Sequence, residues 1–470
     1  MINIFGRFVI LKNLTFFLIE NLFILGVVFL AIYVRFSFDV GFADSLETIL
    51  WYENIFWKAF LISVVCQLCL YYNDLYVMDS EVRGKALIIQ LLQSLGAATI
   101  ILSFIYYIFP VATIGRGIFF FTMLFLFLLF FVLRILYFKA VDMGPFNEKV
   151  LIVGSGRLAK NVGEILVSRK ELGFKVVGFI DDDPEKLGVR IVNPRVIGGY
   201  QSIPSIIHKK KIRRVIVALP DRRGKLPVNE LLECKLQGTT VVDGVSFYEQ
   251  ISGKINVEEL RPSWMIFSEG FKKPRSLQVA KRFLDIVLSV IGLVVTFPLG
   301  LITAILIKLD SPGPVFYRQE RVGENGRLFT LLKFRSMAQD AEAETGPVWA
   351  QPGDPRMTRL GKIIRKTRLD EIPQMFNVLK GEMSFVGPRP ERFYFVQGLK
   401  DKIPYYSLRH TVKPGITGWA QIRYQYGSSV EDALEKLQYD LFYIKNMSVI
   451  FDLTVLFQTI KIVFSRAGAL

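Results

Sequence analysis

Long apolar runs joined by short polar segments fill the first 140 residues of this chain, at about 16–33, 55–72, 87–109 and 118–138. Each approaches or reaches the roughly 20 residues that a helix needs to cross a hydrocarbon core of about 30 Å. Helices buried in a large soluble domain keep a polar face, and these runs leave almost none, so four membrane helices are predicted. Charge sets their direction. Arg7 and Lys12 precede the first run, Arg83, Lys85 and Lys139 flank later ones, and the joint 37–54 carries Asp39, Asp44, Glu47 and Glu53 with no Lys or Arg. Positive charge stays inside, which puts the N-terminus and the exit of the fourth helix in the cytoplasm. No cleavage site follows the first run, so it is expected to persist as a membrane helix. Glu20, within it, is a functional group, a snorkelling carboxylate or a partner in helix packing.

From residue 149 the pattern changes to short units: VLIV (150–153), GSGRLA (154–159) opening a helical stretch, KVVGFI (175–180), a helix around 203–210, and RVIVAL (214–219). Strand, glycine turn, helix, strand predicts a parallel sheet of the nucleotide-binding type. Gly154 and Gly156 would let a pyrophosphate approach a helix N-terminus. Asp181, Asp182 and Asp183 lie where a ribose-binding acid would be sought, yet they also read as a solvated turn. The stretch 241–260 reads as one more strand and a linker.

A fifth apolar run, 283–307, has Lys272, Lys273, Arg275, Lys281 and Arg282 before it and Lys308, Arg318, Arg321, Arg327, Lys333 and Arg335 after it. A crossing would put one basic cluster outside, against the usual bias. Pro298 removes a backbone hydrogen bond near its middle, which favours a re-entrant helix that bends there and returns to the same face. A kinked fifth span is the alternative. The last apolar run, 449–464, carries Asp452, Gln458 and Lys461 and reads as an interfacial or packed helix.

Basic residues and tight turns crowd 311–421. FTLLKFRSM (329–337) predicts a strand with Lys333 and Arg335 on one face, able to hold two phosphate oxygens or else solvated. Arg356, Arg359, Lys362, Arg365, Lys366 and Arg368 recur mostly every third residue, as on one side of a helix resting on anionic headgroups. In TRLDEIP (367–373), Asp370 and Glu371 sit among these cations. Asp370 reads as a nucleophile toward phosphorus, a Mg²⁺ ligand, or both, and a cap bonded to Arg368 is the plain alternative. Pro373 suits the start of a new helix. GPRPER (387–392) holds Arg389 in rigid turns, as a phosphate clamp would be. The Trp of VKPGITGWAQ (412–421) suggests base stacking or a membrane interface, and His410 reads as structural.

The chain has 470 residues, 51% hydrophobic with 40 Phe, too long for one core and too apolar for an ordinary soluble protein. Its net charge of +16 would suit nucleic acid, but much of the excess flanks membrane elements, so no nucleic-acid partner is expected. Cys66, Cys69 and Cys234 form no metal pattern, and no structural disulfide is expected.

On KFRSM (333–337), LDEIPQ (369–374), NVLKGEMSFVGPRP (377–390), KPGITGWAQ (413–421) and LQYDLFYIKN (437–446), the segment from about 272 to 470 resembles the monotopic bacterial sugar transferases called polyprenyl-phosphate glycosyl-1-phosphate transferases. The whole chain is similar to their large members, which start exopolysaccharide or O-antigen synthesis. That resemblance implies a multi-domain α/β membrane protein with four transmembrane helices (1–143), a Rossmann-like domain (144–265), a basic linker and re-entrant helix broken at Pro298 (266–310), and a compact α-rich catalytic domain (311–470). It implies attack by Asp370 on the sugar-linked phosphate of a UDP-sugar, release of UMP, and transfer of the phosphosugar to undecaprenyl phosphate. Glu371 completes the dyad, Mg²⁺ bridges the diphosphate and Asp370, and Lys333, Arg335, Arg365 and Arg389 bind phosphate. The implied location is the bacterial inner membrane, with the catalytic domain on the cytoplasmic face among membrane lipid. Glucose or galactose is the implied sugar, although IRYQYG (422–427) departs from the Val-Asn-Gly-Arg-Asn of smaller members. The middle domain is implied to serve dimerisation or regulation, which leaves room for a homodimer. A membrane-anchored nucleotide-sugar dehydratase or epimerase would need a Tyr-x-x-x-Lys pair, and no tyrosine here has Lys four residues later. An inactive assembly scaffold is the other alternative.

Overall fold

A computed structural model describes residues 7–37, 54–76, 84–143, 147–219, 226–260, 270–339, 341, 354–424, 427 and 429–465. The acidic joint 38–53, Arg83 and the inter-domain boundaries expected at 143–146 and near 265 fall wholly or partly outside them. The chain divides into two compact units, Met1–Phe247 and Tyr248–Leu470.

In the first unit the apolar runs form helices Arg7–Ser37, Ile55–Tyr72, Lys85–Ile108 and Arg116–Met143. Each contains a stretch long and apolar enough to cross a membrane, and the protein is membrane-anchored. Ile24, Val28, Ile62, Leu91 and Phe130 form their shared core. Glu20 is a packing partner: it is fully buried, meets Arg134 of the fourth helix at 3.0 Å, and accepts a 2.6 Å hydrogen bond from Tyr76. Breaking a buried pair strands one charge in an apolar bundle. Glu20→Leu is therefore expected to lower stability by about 3–5 kcal/mol, and adding Arg134→Leu should recover most of the loss. Unfolding temperatures in detergent test this, and equal losses in the single and double variants would contradict it.

The remainder of this unit is a five-stranded sheet in the order β3-β2-β1-β4-β5. Its strands are β1 (Glu148–Val153), β2 (Phe174–Ile180), β3 (Val196–Gly198), β4 (Arg214–Val217) and β5 (Thr240–Asp243), and every pairing is parallel. That order, with helices between strands, is Rossmann-like. Val150 to Val153 are fully buried, as a central parallel strand covered on both faces requires. Gly154 ends β1 at φ 115°, and a Cβ there would meet the Ala218 carbonyl at 2.6 Å. Gly156 caps helix Arg157–Ser168. Cys66, Cys69 and Cys234 are free and buried.

The second unit differs from expectation at its start. After β5 the chain forms helix Gly244–Ser252 where a linker is predicted, and residues 249–255 bond to helix Val430–Asn446. Glu249 pairs with Lys445 at 2.7 Å, Lys254 pairs with Glu435, and Ile255 N–H donates to the Gln438 carbonyl.

Helix Arg275–Asp310 runs continuously through Pro298 and is long enough to cross a membrane. Its two flanks nonetheless bind the same unit. Near the start, Lys281 bonds to Asp452, Arg282 to the Val378 and Leu379 carbonyls, and Asp285 to Ser384. At the end, Ile307 packs on Phe334 and Ile364, and Asp310 accepts from Leu360 N–H. Between the flanks, Val294, Val295 and Phe297 are exposed.

Strands β6 (Phe316–Val322) and β7 (Leu328–Phe334) make an antiparallel hairpin, and β8 (Ser384–Val386) pairs in parallel with β9 (Gly415–Thr417). Buried Asn377, a few residues before β8, bonds its helix to β7: its amide donates to the Thr330 carbonyl, and its oxygen accepts from Leu332 N–H at 3.0 Å. The last apolar run is helix Val449–Ser465, packed through buried Phe451, Asp452 and Val455.

Candidate active site

Three local structures bring the acidic pair and its cations together. Helix Arg359–Lys366 ends at Thr367, and Arg368 then takes φ 60°, the left-handed region that costs a non-glycine residue energy. A single 3₁₀ turn, Leu369–Glu371, follows, so Asp370 and Glu371 point about 120° apart. Pro373 precedes a new helix, Gln374–Lys380, as its missing N–H favours. Below, Gly361 lies so close to the Ser336 carbonyl that a side chain there would collide with it. This contact seats the basic helix against β7 and lets Arg365 donate to the Ser336 hydroxyl at 2.9 Å.

The two carboxylates are 5% and 9% exposed, yet they are not equivalent. Glu371 receives three cations at one oxygen: Arg389 at 3.0 Å, Lys333 at 3.3 Å and Arg368 at 3.7 Å. Burial pushes its pKa up, but Arg389, Lys333 and Arg368 outweigh burial and bring it down to about 2. Asp370 has Lys333 at 3.5 Å. Burial dominates there and, with repulsion from Glu371, raises its pKa above the usual aspartate value against the pull of Lys333 and the arginines. Lys333 is itself held low by burial. One carboxylate thus anchors cations, and the other is the less stabilised anion of the two.

Lys333, Arg365, Arg368 and Arg389 face a cavity of about 600 Å³, a size that holds a nucleotide-like ligand. Among the described residues its wall carries ten Lys or Arg side chains against two acids, Glu391 and Asp440. The carboxylates stand one layer behind, in contact with Lys333 and Arg389. The four cations predicted for phosphate, Lys333, Arg335, Arg365 and Arg389, all line this cavity.

Arg335 lines the cavity and also carries a tie that the sequence does not predict. β7 ends at Phe334, and the Arg335 guanidinium donates to the Ser311 carbonyl at 2.7 Å, the Ser311 hydroxyl at 3.0 Å and the Pro312 carbonyl. It ties the loop after the long helix while lining the cavity, and is not the solvated strand cation of the alternative reading. Trp419 is likewise no platform for a base or an interface anchor. It is buried against Phe442 and Phe451, and its indole N–H donates to the Gly253 carbonyl at 2.8 Å. His410 is buried with its ring against Tyr406, and burial and Arg409 lower its pKa to about 3.

Sequence reasoning missed Arg321, Arg409 and Asp440, all on the cavity wall. Arg409 and Asp440 form a buried pair at 2.8 Å. Asp440 stands inside the LQYDLFYIKN motif, a signal that was present without a role.

Residues 276–466 match the family model described as bacterial sugar transferase, and residues 72–233 match one described as CoA-binding domain. The chain is 43% identical over 240 residues to the UDP-N-acetylgalactosamine-undecaprenyl-phosphate N-acetylgalactosaminephosphotransferase of Aeromonas hydrophila, covering 51% of this chain and 56% of that protein. It is 35% identical to the undecaprenyl-phosphate glucose phosphotransferase of Komagataeibacter xylinus, over 68% and 60% of the two chains. It is 31% identical to the undecaprenyl-phosphate galactose phosphotransferase of Salmonella typhimurium, over 70% of each. The matched region spans less than two thirds of the length of the first two relatives.

Proposed function

The chain belongs to the bacterial sugar transferase family, and we propose that it transfers a hexose 1-phosphate from a UDP-sugar to undecaprenyl phosphate, the first step of exopolysaccharide or O-antigen assembly. A carboxylate oxygen of Asp370 attacks the sugar-linked phosphorus, the bond from that phosphorus to the bridging oxygen breaks, and UMP leaves with the electron pair. A phosphate oxygen of the lipid then attacks the same phosphorus, the acyl phosphate bond breaks, and Asp370 is restored. The observation that carries this reading is the unequal dyad. Glu371 is saturated by cations and fixes them, while Asp370 is buried, raised in pKa and in contact with Lys333, which lines the cavity in front of it. Lys333, Arg365 and Arg389 lower the repulsion between anions that meet twice in the cycle.

Among the described residues no three His, Cys, Asp or Glu side chains gather to hold a metal by themselves. Magnesium needs only one or two carboxylates plus substrate phosphates, so Asp370 fits an ion that arrives with the diphosphate. Bound there, Mg²⁺ would neutralise diphosphate charge.

We read the helix Arg275–Asp310 as re-entrant, since both its flanks bond to one unit and the residues before Pro298 are exposed. The second unit then lies on the cytoplasmic face of the inner membrane, within reach of a lipid phosphate. Glucose and galactose are the first donors to try, and N-acetylgalactosamine joins them because the 43% relative is named for it. UMP release is the test, measured for these three UDP-sugars with Mg²⁺, with and without undecaprenyl phosphate. Release from one donor, with lipid-linked product when acceptor is present, is expected. Silence from folded, membrane-inserted protein across the three would overturn hexose 1-phosphate transfer.

A further inference from the structure

The turn that presents Arg389 is Gly387-Pro388-Arg389-Pro390. Its two prolines bring no N–H, and Gly387, Pro388 and Pro390 are buried, so the turn cannot satisfy its own carbonyls. Backbone amides reach some of them: Gly415 N–H donates to the Pro388 carbonyl at 2.9 Å and Val322 N–H to that of Glu391 at 3.0 Å. Two others, and the carbonyl just before the turn, are taken by cationic side chains from separate elements. Lys281 of the long helix donates to the Val386 carbonyl at 2.9 Å, Arg409 to that of Arg389 at 3.1 Å, and Arg321 of β6 to that of Pro390 at 3.0 Å.

Each cation brings its own acid. Asp452 meets Lys281 at 2.7 Å, Asp440 meets Arg409 at 2.8 Å, and Glu391 lies 3.8 Å from Arg321. Burying ion pairs is costly, and well-packed apolar residues are often at least as stable in their place. A stability role alone therefore does not account for two buried pairs converging on one turn. Hydrogen bonds from cations are shorter and roughly twice as strong as neutral ones, and they fix a carbonyl's direction.

We propose that Lys281 and Arg409, with their partners Asp452 and Asp440, are positioning residues for Arg389: they fix the backbone of the proline turn so that the guanidinium is already aimed at the transferring phosphate. Arg321 completes the cradle. The inference rests on Arg389 being the clamp of the proposed transfer. It also gives the membrane-associated helix a part in the chemistry, because Lys281 stands at the start of the apolar run and holds the residue just before the turn.

The test uses full-length protein in which each pair is replaced by apolar residues, Arg409→Met with Asp440→Leu and Lys281→Met with Asp452→Leu, so that no charge is stranded. Both double variants are expected to fold, with unfolding temperature near wild type, and to lose about 10²-fold in kcat, the scale of a misplacement of about 1 Å. On an Arg389→Ala background the same pairs should cost less than about threefold, because the group they aim is gone. Two results would overturn the proposal: folded double variants with wild-type kcat, or losses that multiply fully with that of Arg389→Ala, as direct substrate contacts would. Failure of the underlying reading looks different, since Arg389→Ala alone would then be fully active.

Discussion

Asp370→Asn is expected to cut sugar-phosphate transfer by on the order of 10⁴-fold or more, the scale seen when a covalent catalytic group is removed. The amide has nearly the same shape and fills the same buried site, so folding and membrane insertion should survive. It offers no anionic oxygen to phosphorus. Glu371 cannot take over, because Arg389, Lys333 and Arg368 all bind one of its oxygens and bring its pKa to about 2, leaving a stabilised and weakly nucleophilic anion. UMP formation and lipid-linked product from purified variant and wild type, matched for elution in detergent, measure the loss. Activity within tenfold of wild type would remove Asp370 from the nucleophile's role.

Lys333→Met should show a loss of about 10²–10³-fold in kcat, as for removal of one preorganised charge, together with a displaced pH profile. Asp370 must be ionised to attack. Burial raises its folded pKa above the ordinary range, so activity should fall with decreasing pH through that raised value. Lys333 acts in the opposite direction by favouring the anion. Removing the ammonium therefore raises the Asp370 pKa further, and the acid limb of kcat should move to higher pH. Glu371→Gln removes a neighbouring negative charge that raises the Asp370 pKa, so its acid limb should move to lower pH. Rate profiles across the acid range for the three proteins test the pair of signs. A limb that stays fixed in both variants would show that Asp370 is not the group whose ionisation limits the rate.

How much of this was legible in the sequence depends on what each residue type had to satisfy. The four N-terminal helices were plain because lipid requires apolar residues on nearly every side, and that leaves a pattern no other environment produces. β1 and the glycine turn were plain for a similar reason, yet Gly154 is required simply by the approach of the Ala218 carbonyl, whatever binds there. The Asp370-Glu371 pair was visible as composition, but the division of labour between the two was not, since it depends on Arg389 arriving from 18 residues away. Cations were hardest to read. Arg335 and Arg389 look alike in a row of basic residues, and only tertiary structure shows that both line the cavity while Arg335 also ties down carbonyls of residues 311–312 and Arg389 pairs with Glu371. Lys281 looked like one member of a basic flank, whereas in the fold it is buried in a hydrogen-bond network with Tyr443 and Asp452. Trp419 misled because aromatics at a Gly/Pro turn suit a ligand platform and a core equally well.

The most direct test is the intact mass of the protein after incubation with its UDP-sugar and Mg²⁺ in the absence of any lipid acceptor, followed by peptide mapping. A covalent route through Asp370 predicts a stoichiometric gain of one phosphosugar on the peptide containing Asp370, release of an equal amount of UMP, and loss of the adduct when undecaprenyl phosphate is added. Asp370→Asn should gain nothing. Unmodified wild-type protein that releases UMP only when lipid phosphate is present would contradict the covalent route and indicate direct transfer between the two substrates.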